Sequence, residues 1–249
     1  MQVVEEFGEG IFIAAGRVRF YGFSLTIRMA VIRLPGNDLL LYSPVYLSPE
    51  LAADLASLGR VRHLVAPNKI HNLALDGYCD AYPEAALWLA PGLAERRPDL
   101  APAGLLGKDP EPAWQEVLEQ CLTGGNVFFS EVLMLHKPSR TLLVTDLVEN
   151  IDATTASAPA RAIGRLFGMK MRPAPSPEFL LYTLDAEAAQ DALVRARQWS
   201  FDRIFLCHGG LVTEGAGEVF ESVCEELIAA AAHRSAAFKS VMRRMAAWQ

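Results

Sequence analysis

Three short stretches of this chain each deliver a chemically useful side chain to the end of an apolar run. They are Val65-Ala66-Pro67-Asn68-Lys69-Ile70-His71-Asn72, Leu142-Leu143-Val144-Thr145-Asp146 and Ile204-Phe205-Leu206-Cys207-His208-Gly209-Gly210. Imidazole and carboxylate groups at strand ends are suited to metal binding and to moving protons near neutral pH. Other familiar chemistries leave no trace. There is no Gly-x-Ser-x-Gly elbow, no phosphate loop and no glycine-rich dinucleotide fingerprint, and Gly209-Gly210 alone is a weak phosphate signal. Cys79, Cys121, Cys207 and Cys224 form no Cys-x-x-Cys pair, which argues against a structural zinc knuckle and for reduced thiols.

Strands and helices must hold these residues. Ile11–Ala15 is a short apolar run, and Arg17–Leu34 reads as two strands broken near Gly22. After the turn Pro35-Gly36-Asn37-Asp38, Leu39–Val45 is the next strand, so the first third is an antiparallel meander. Ser48-Pro49-Glu50 starts a helix that Gly59 stops. Val61–Ala66 is a buried strand that must end at Pro67, and Ala86–Ala90 is another. Glu131–His136 and Thr141–Asp146 form a hairpin across Lys137-Pro138-Ser139-Arg140. Pro173, Pro175 and Pro177 mark a loop, Leu184–Trp199 an amphipathic helix and Arg203–Cys207 a short strand. Residues 214–249 read as a C-terminal helical segment, which is expected to dock on its own body or on a second subunit in a homodimer.

The 249 residues suffice for one large domain, and 51% hydrophobic content supports a sizeable core. A net charge of -6 argues against nucleic acid as a partner. The acidic start, Glu5-Glu6, is unlike a signal peptide, and no apolar run is long enough for a membrane span. The expectation is a cytoplasmic protein with a small-molecule substrate or ligand.

In their order and strand-end placement, the three stretches and the N-terminal meander resemble the metallo-β-lactamase superfamily. More narrowly they are similar to an uncharacterised bacterial family within it, with Pro67-Asn68-x-x-His71 where active relatives carry His-x-His-x-Asp-His. Tyr82-Pro83-Glu84-Ala85 and Ala90-Pro91-Gly92-Leu93 suit that narrower family too. The resemblance spans roughly Val3 to Gly210. It implies an α+β, four-layer αββα sandwich over residues 1–249, with metal ligands on loops at one sandwich edge. Asp146 then matches the bridging aspartate and His208 the last ligand histidine, while His71 lies in the loop of the main motif.

The departures limit what can be inherited. Pro67, Asn68 and Lys69 stand where a His-x-His pair is expected, Asn72 replaces a second histidine, and Ser43-Pro44 replaces an orienting acid after the strand. Gly124–Glu131 offers no counterpart to another ligand histidine. His71, Asp146 and His208 would make at most a mononuclear site, for zinc with an open position or for iron or manganese, or a relic that holds no metal. Asn68 is placed to serve as a weak oxygen ligand, to orient His71 or to tie up its loop, and Lys69 to put an ammonium in the cation's place beside Asp146. Asp76 and Glu149 are candidate proton carriers, with turn formation before Gly77 and a solvated loop as their plainer readings. Cys207 should pack in the core if His208 faces the site. His63 reads as a structural or surface histidine, and neither it nor His136 or His233 reads as a ligand. Arg161, Arg165, Lys170 and Arg172 lie on or beside the amphipathic stretch Ala160–Met171, which is a lid over the cleft, a contact for an anionic substrate or a partner, or a solvated helix face.

Two functions remain in play. One is a metal-dependent hydrolase with a reduced site, acting on an ester, thioester or phosphoester. The other is a non-catalytic protein of the same fold, binding a small ligand or a protein partner through the same cleft.

Overall fold

The computed structural model describes residues 3–20, 23–150, 170 and 172–247. The chain begins with strands β1 (Val4–Gly8), β2 (Ile11–Phe20), β3 (Phe23–Arg33) and β4 (Asp38–Tyr42), joined as the expected antiparallel meander. Strands β5 (Arg60–Ala66), β6 (Ala86–Leu89) and β7 (Gly104–Leu105) then add in parallel, completing a seven-stranded mixed sheet in sequence order. The second sheet runs β11 (Arg203–Leu206), β10 (Thr141–Val144), β9 (Val132–His136), β8 (Leu118–Leu122). Its β10–β11 pair is parallel and the others are antiparallel.

Burial explains the layering. In β4 the run Leu39–Tyr42 is buried on both faces, as befits a central strand covered twice. One face of the large sheet packs Leu39, Leu41, Leu64 and Leu87 against helices α1 (Pro49–Leu58), α2 (Leu75–Ala81) and α3 (Leu93–Arg96). The other packs Ile32, Leu40, Tyr42 and Val65 against Val132, Met134, Leu143 and Phe205 of the small sheet. The far face of the small sheet packs Leu133, Leu142 and Ile204 under α4 (Pro177–Tyr182), α5 (Ala186–Arg197) and α6 (Ala216–Ala232). The result is the αββα sandwich, its two sheets tied at the centre by Tyr42, whose hydroxyl donates to the Val132 carbonyl at 2.9 Å.

Most elements follow the sequence reading. The Ser48 hydroxyl caps α1 by accepting from Leu51 N, and Gly59 ends it. Others depart from it. Asp76-Gly77 is helical, within α2, because Tyr78 on the same turn is drawn fully into the core. Pro177 opens α4 rather than continuing a loop, since the Ser176 hydroxyl caps Phe179 N. The C-terminal segment is two helices, α6 and α7 (Ala236–Ala246), with Ser235 capping the second. The amphipathic stretch Ala160–Met171 lies outside the described residues apart from Lys170. Lys170 and Arg172 both pair with Glu226 of α6. Among the described residues no helix is long and apolar enough to cross a membrane.

Candidate metal centre

The loop after β5 is shaped by Pro67, which has no N–H to continue the ladder. Its carbonyl instead accepts from Val132 N across the sandwich at 2.8 Å. Asn68, wholly buried, then folds the loop: its Oδ1 accepts from Ile70 N at 2.9 Å and from His71 N at 3.1 Å. This turn lifts His71 over the sheet edge. Ser43, the residue after β4, holds the ring from behind, with Oγ 2.6 Å from His71 Nδ1.

Asp146 follows β10 in a tight backbone turn. That turn is cradled by Glu131, a carboxylate with no solvent exposure. Its Oε1 accepts from Thr145 N at 2.6 Å, and its Oε2 accepts from Asp146 N and Leu147 N, each at 2.8 Å. Asn68 Nδ2 donates to Asp146 Oδ2 at 2.6 Å and to Thr145 Oγ1 at 2.9 Å, so one side chain fixes both loops.

His208 follows β11. Arg28 of β3 donates to the carbonyls of Leu206 and Gly209 on either side of it. Gly209 has φ +77°, and a Cβ there would lie 2.0 Å from the Asn150 carbonyl oxygen, so only glycine fits this close approach. Cys207, on the opposite strand face, is fully buried, as its alternation with His208 requires.

These three loops bring His71, Asp146 and His208 together, with one donor atom from each mutually within 4.8 Å. His71 Nε2 is 3.1 Å from Asp146 Oδ2, His208 Nε2 is 3.4 Å from Asp146 Oδ1, and the two Nε2 atoms are 3.3 Å apart. Donors about 2.0–2.1 Å from a tetrahedral ion stand about 3.3–3.4 Å from one another, so this spacing fits one zinc-sized ion. The donor chemistry fits as well. If His71 Nδ1 donates its proton to Ser43, Nε2 presents a lone pair toward His208 and Asp146.

The electrostatics follow from burial. Burial would raise the Asp146 carboxyl, but His71 and His208 outweigh it and hold the group below the usual carboxylate range. Burial would lower His208, but Asp146 and then Glu149 outweigh it and raise the imidazole. Burial pushes Glu149 up to about 7, with His208 opposing and Asp146 and Glu178 reinforcing the shift. Glu178, in the first turn of α4, is raised by burial beside the same charges. Glu149 is therefore a half-buried acid near the cluster, not the solvated carboxylate its loop position suggests.

Two expected residues stand elsewhere. Asp76 is exposed on α2, paired with Arg97, and is not brought to the cluster. Lys69 does not neutralise Asp146: its Nζ lies over the Phe128 ring, 3.9 Å from the centroid. Asn72 closes its own loop by donating from Nδ2 to the Lys69 carbonyl at 2.9 Å. His63 accepts from Trp88 Nε1 at 3.3 Å, and His136 lies 2.7 Å from Ser139 Oγ, so both are structural. The sequence reading missed Glu131, Ser43 as a partner of His71, and Glu178. A buried-strand context signalled Glu131, and Ser176-Pro177-Glu178 repeats the helix start seen at Ser48-Pro49-Glu50.

The fold is that of the metallo-β-lactamases. The mono-zinc form of the metallo-β-lactamase FIM-1 from Pseudomonas aeruginosa matches with TM-score 0.62 at 13% identity, over 92% of this chain and 95% of that one. A metallo-β-lactamase from Pontibacter korlensis matches with TM-score 0.60 at 12% identity, over 93% and 99%. The metal-soaked flavodiiron core Flv1 from Synechocystis sp. PCC6803 matches with TM-score 0.62 at 12% identity, over 90% and 60%. A family model described as "Domain of unknown function (DUF4336)" matches residues 16–95, the part that holds Ser43, Asn68 and His71. A search of curated proteins finds no match to the sequence.

Proposed function

We propose that this chain is a metal-dependent hydrolase that holds at most one zinc, iron or manganese ion on His71, Asp146 and His208 and acts on a small ester, thioester or phosphoester. The observation that carries the reading is the convergence of two Nε2 atoms and one carboxylate at 3.1–3.4 Å. A divalent ion in such a site supplies Lewis-acid polarisation and a nucleophile at neutral pH.

The chain's own residues supply the rest. Ser43 fixes the His71 ring, Asn68 fixes the Asp146 carboxylate, and Arg28 fixes the backbone that carries His208. Burial raises Glu149 to about 7, so near neutral pH its protonated form can give a proton to a leaving group and its ionised form can take one from water. Asp76, exposed and paired with Arg97, has no part in this scheme.

One observation favours a non-catalytic protein that binds a ligand in the same cleft. Asn68 donates to Asp146 Oδ2, the oxygen nearest His71, and so takes up part of the capacity of the sole carboxylate in the cluster. The two readings separate in one screen. Metal-loaded protein is assayed against nitrophenyl esters, thioesters and phosphoesters beside His208→Ala and Glu149→Gln. Turnover lost in His208→Ala and reduced in Glu149→Gln supports the hydrolase. Metal-loaded protein with no turnover on any class supports the ligand-binding reading.

A further inference from the structure

Lys69 is one residue from Ile70 and two from His71, so its Cα lies within about 7.6 Å of the His71 Cα by chain geometry alone. Its position is fixed at both ends. The backbone carbonyl accepts from Asn72 Nδ2 at 2.9 Å. The aliphatic stem runs past Gly92, where a Cβ would stand 3.9 Å from Lys69 Cδ, and the ammonium rests 3.9 Å from the centre of the Phe128 ring. Phe128 itself is braced by Tyr182 of α4, with ring centroids 5.0 Å apart, and by Phe129, at 5.3 Å. α4 also carries Glu178, which responds to the charges of Asp146 and His208. Lys69 thus shares the loop of His71, and its aromatic partner Phe128 packs on the helix that carries Glu178.

Among the described residues its ammonium has no negative partner: no carboxylate lies within ion-pair distance of its Nζ, and its one charged influence is Arg96, another cation. The neighbouring Arg97 makes the contrast: it is committed to Asp99 and Asp76. An ammonium held in place, partly desolvated and left with an aromatic face and a second cation is preorganised for an anion.

We propose that Lys69, on the loop that carries His71, anchors an anionic group of the substrate, a carboxylate or a phosphate, against Phe128. This rests on the hydrolase reading and narrows its substrate class from esters in general to esters that carry a negative charge away from the bond that breaks. Phe128 fixes the ammonium and leaves its N–H donors for the ligand.

The test uses Lys69→Met, which keeps the stem along Gly92 and removes the charge, and Lys69→Arg, which keeps the charge. Inorganic phosphate and succinate are titrated calorimetrically into the full chain, first stripped of metal and then loaded with zinc. The expected result in stripped protein is that Lys69→Met weakens both anions by about tenfold or more, while Lys69→Arg stays within about threefold. Zinc content should be the same in all three proteins. With turnover in hand, KM for a nitrophenyl ester of succinate should rise in Lys69→Met while that for nitrophenyl acetate does not. Equal anion binding by wild type and Lys69→Met in stripped protein, or no binding by wild type, overturns the anchor. If the protein takes up no zinc yet Lys69→Met still loses the anions, the anchor stands and the hydrolase reading falls.

Discussion

Ser43 Oγ and His71 Nδ1 stand 2.6 Å apart, joining the residue after β4 to a ring on the loop that follows β5. The contact is demanding, because Ser43 sits in the left-handed region at φ +58°. A polar hydrogen bond held at that backbone cost points to a ring whose orientation matters. Ser43→Gly separates the two effects: glycine accepts the backbone and removes the hydroxyl. Zinc affinity, measured by competition with a chelator, should fall about 10–100-fold, as when a partner of a metal-ligating histidine is lost. Thermal stability should hardly change. Unaltered affinity would show that Ser43 does not orient His71.

Glu131 controls the Asp146 turn through three backbone N–H groups. In Glu131→Gln one acceptor oxygen becomes an NH2 group facing backbone donors. A buried mismatch of this kind should cost about 2–4 kcal/mol, read as a shift in the denaturant midpoint. A change below about 0.5 kcal/mol, the level of an ordinary surface substitution, would contradict the cradle.

Gly209→Ala should be costly for a steric reason. The new Cβ would meet the Asn150 carbonyl oxygen at 2.0 Å, in a residue already at φ +77°. The loop must move, carrying His208 with it. The expected loss is about 2–4 kcal/mol in stability together with the bound metal. Wild-type stability and metal content would show that the two loops are not locked.

His136 predicts a pH dependence away from the metal centre. Burial brings its imidazole from 6.5 down to about 4. Between those values the unfolded chain holds the proton and the folded chain does not, so stability is full above about 6.5 and falls as pH drops toward 4. The drop amounts to about 3 kcal/mol, at 1.36 kcal/mol for each unit of the shift. His136→Gln cannot titrate, so its stability should fall less steeply over that window. Comparing slopes cancels any fixed cost of the substitution. Parallel pH profiles for the two proteins would contradict a neutral, buried His136.

The fold was legible because alternation, turn residues and capping triplets act locally. Ser48-Pro49-Glu50 specifies a helix start by its own chemistry, and the meander before it specifies its antiparallel pairing. The identities of His71, Asp146 and His208 were legible for a related reason: each ends or closely follows an apolar strand. Their supports were not. Ser43 and His71 are 28 positions apart, and Asn68 and Asp146 are 78 apart, so nothing local links them. Glu131 looked like the start of a hairpin strand because its three partners lie across the sheet, beyond the turn. Lys69 was misplaced because motif position alone cannot show that Phe128 draws the ammonium away from Asp146.

On the proposed reading, His71, Asp146 and His208 together hold one ion. Elemental mass spectrometry of protein purified without an affinity tag or added metal tests it directly, beside His71→Ala and His208→Ala. About one zinc, iron or manganese per chain is expected, lost in both variants while the fold persists. No metal in the wild-type protein, even after incubation with these ions, would contradict it.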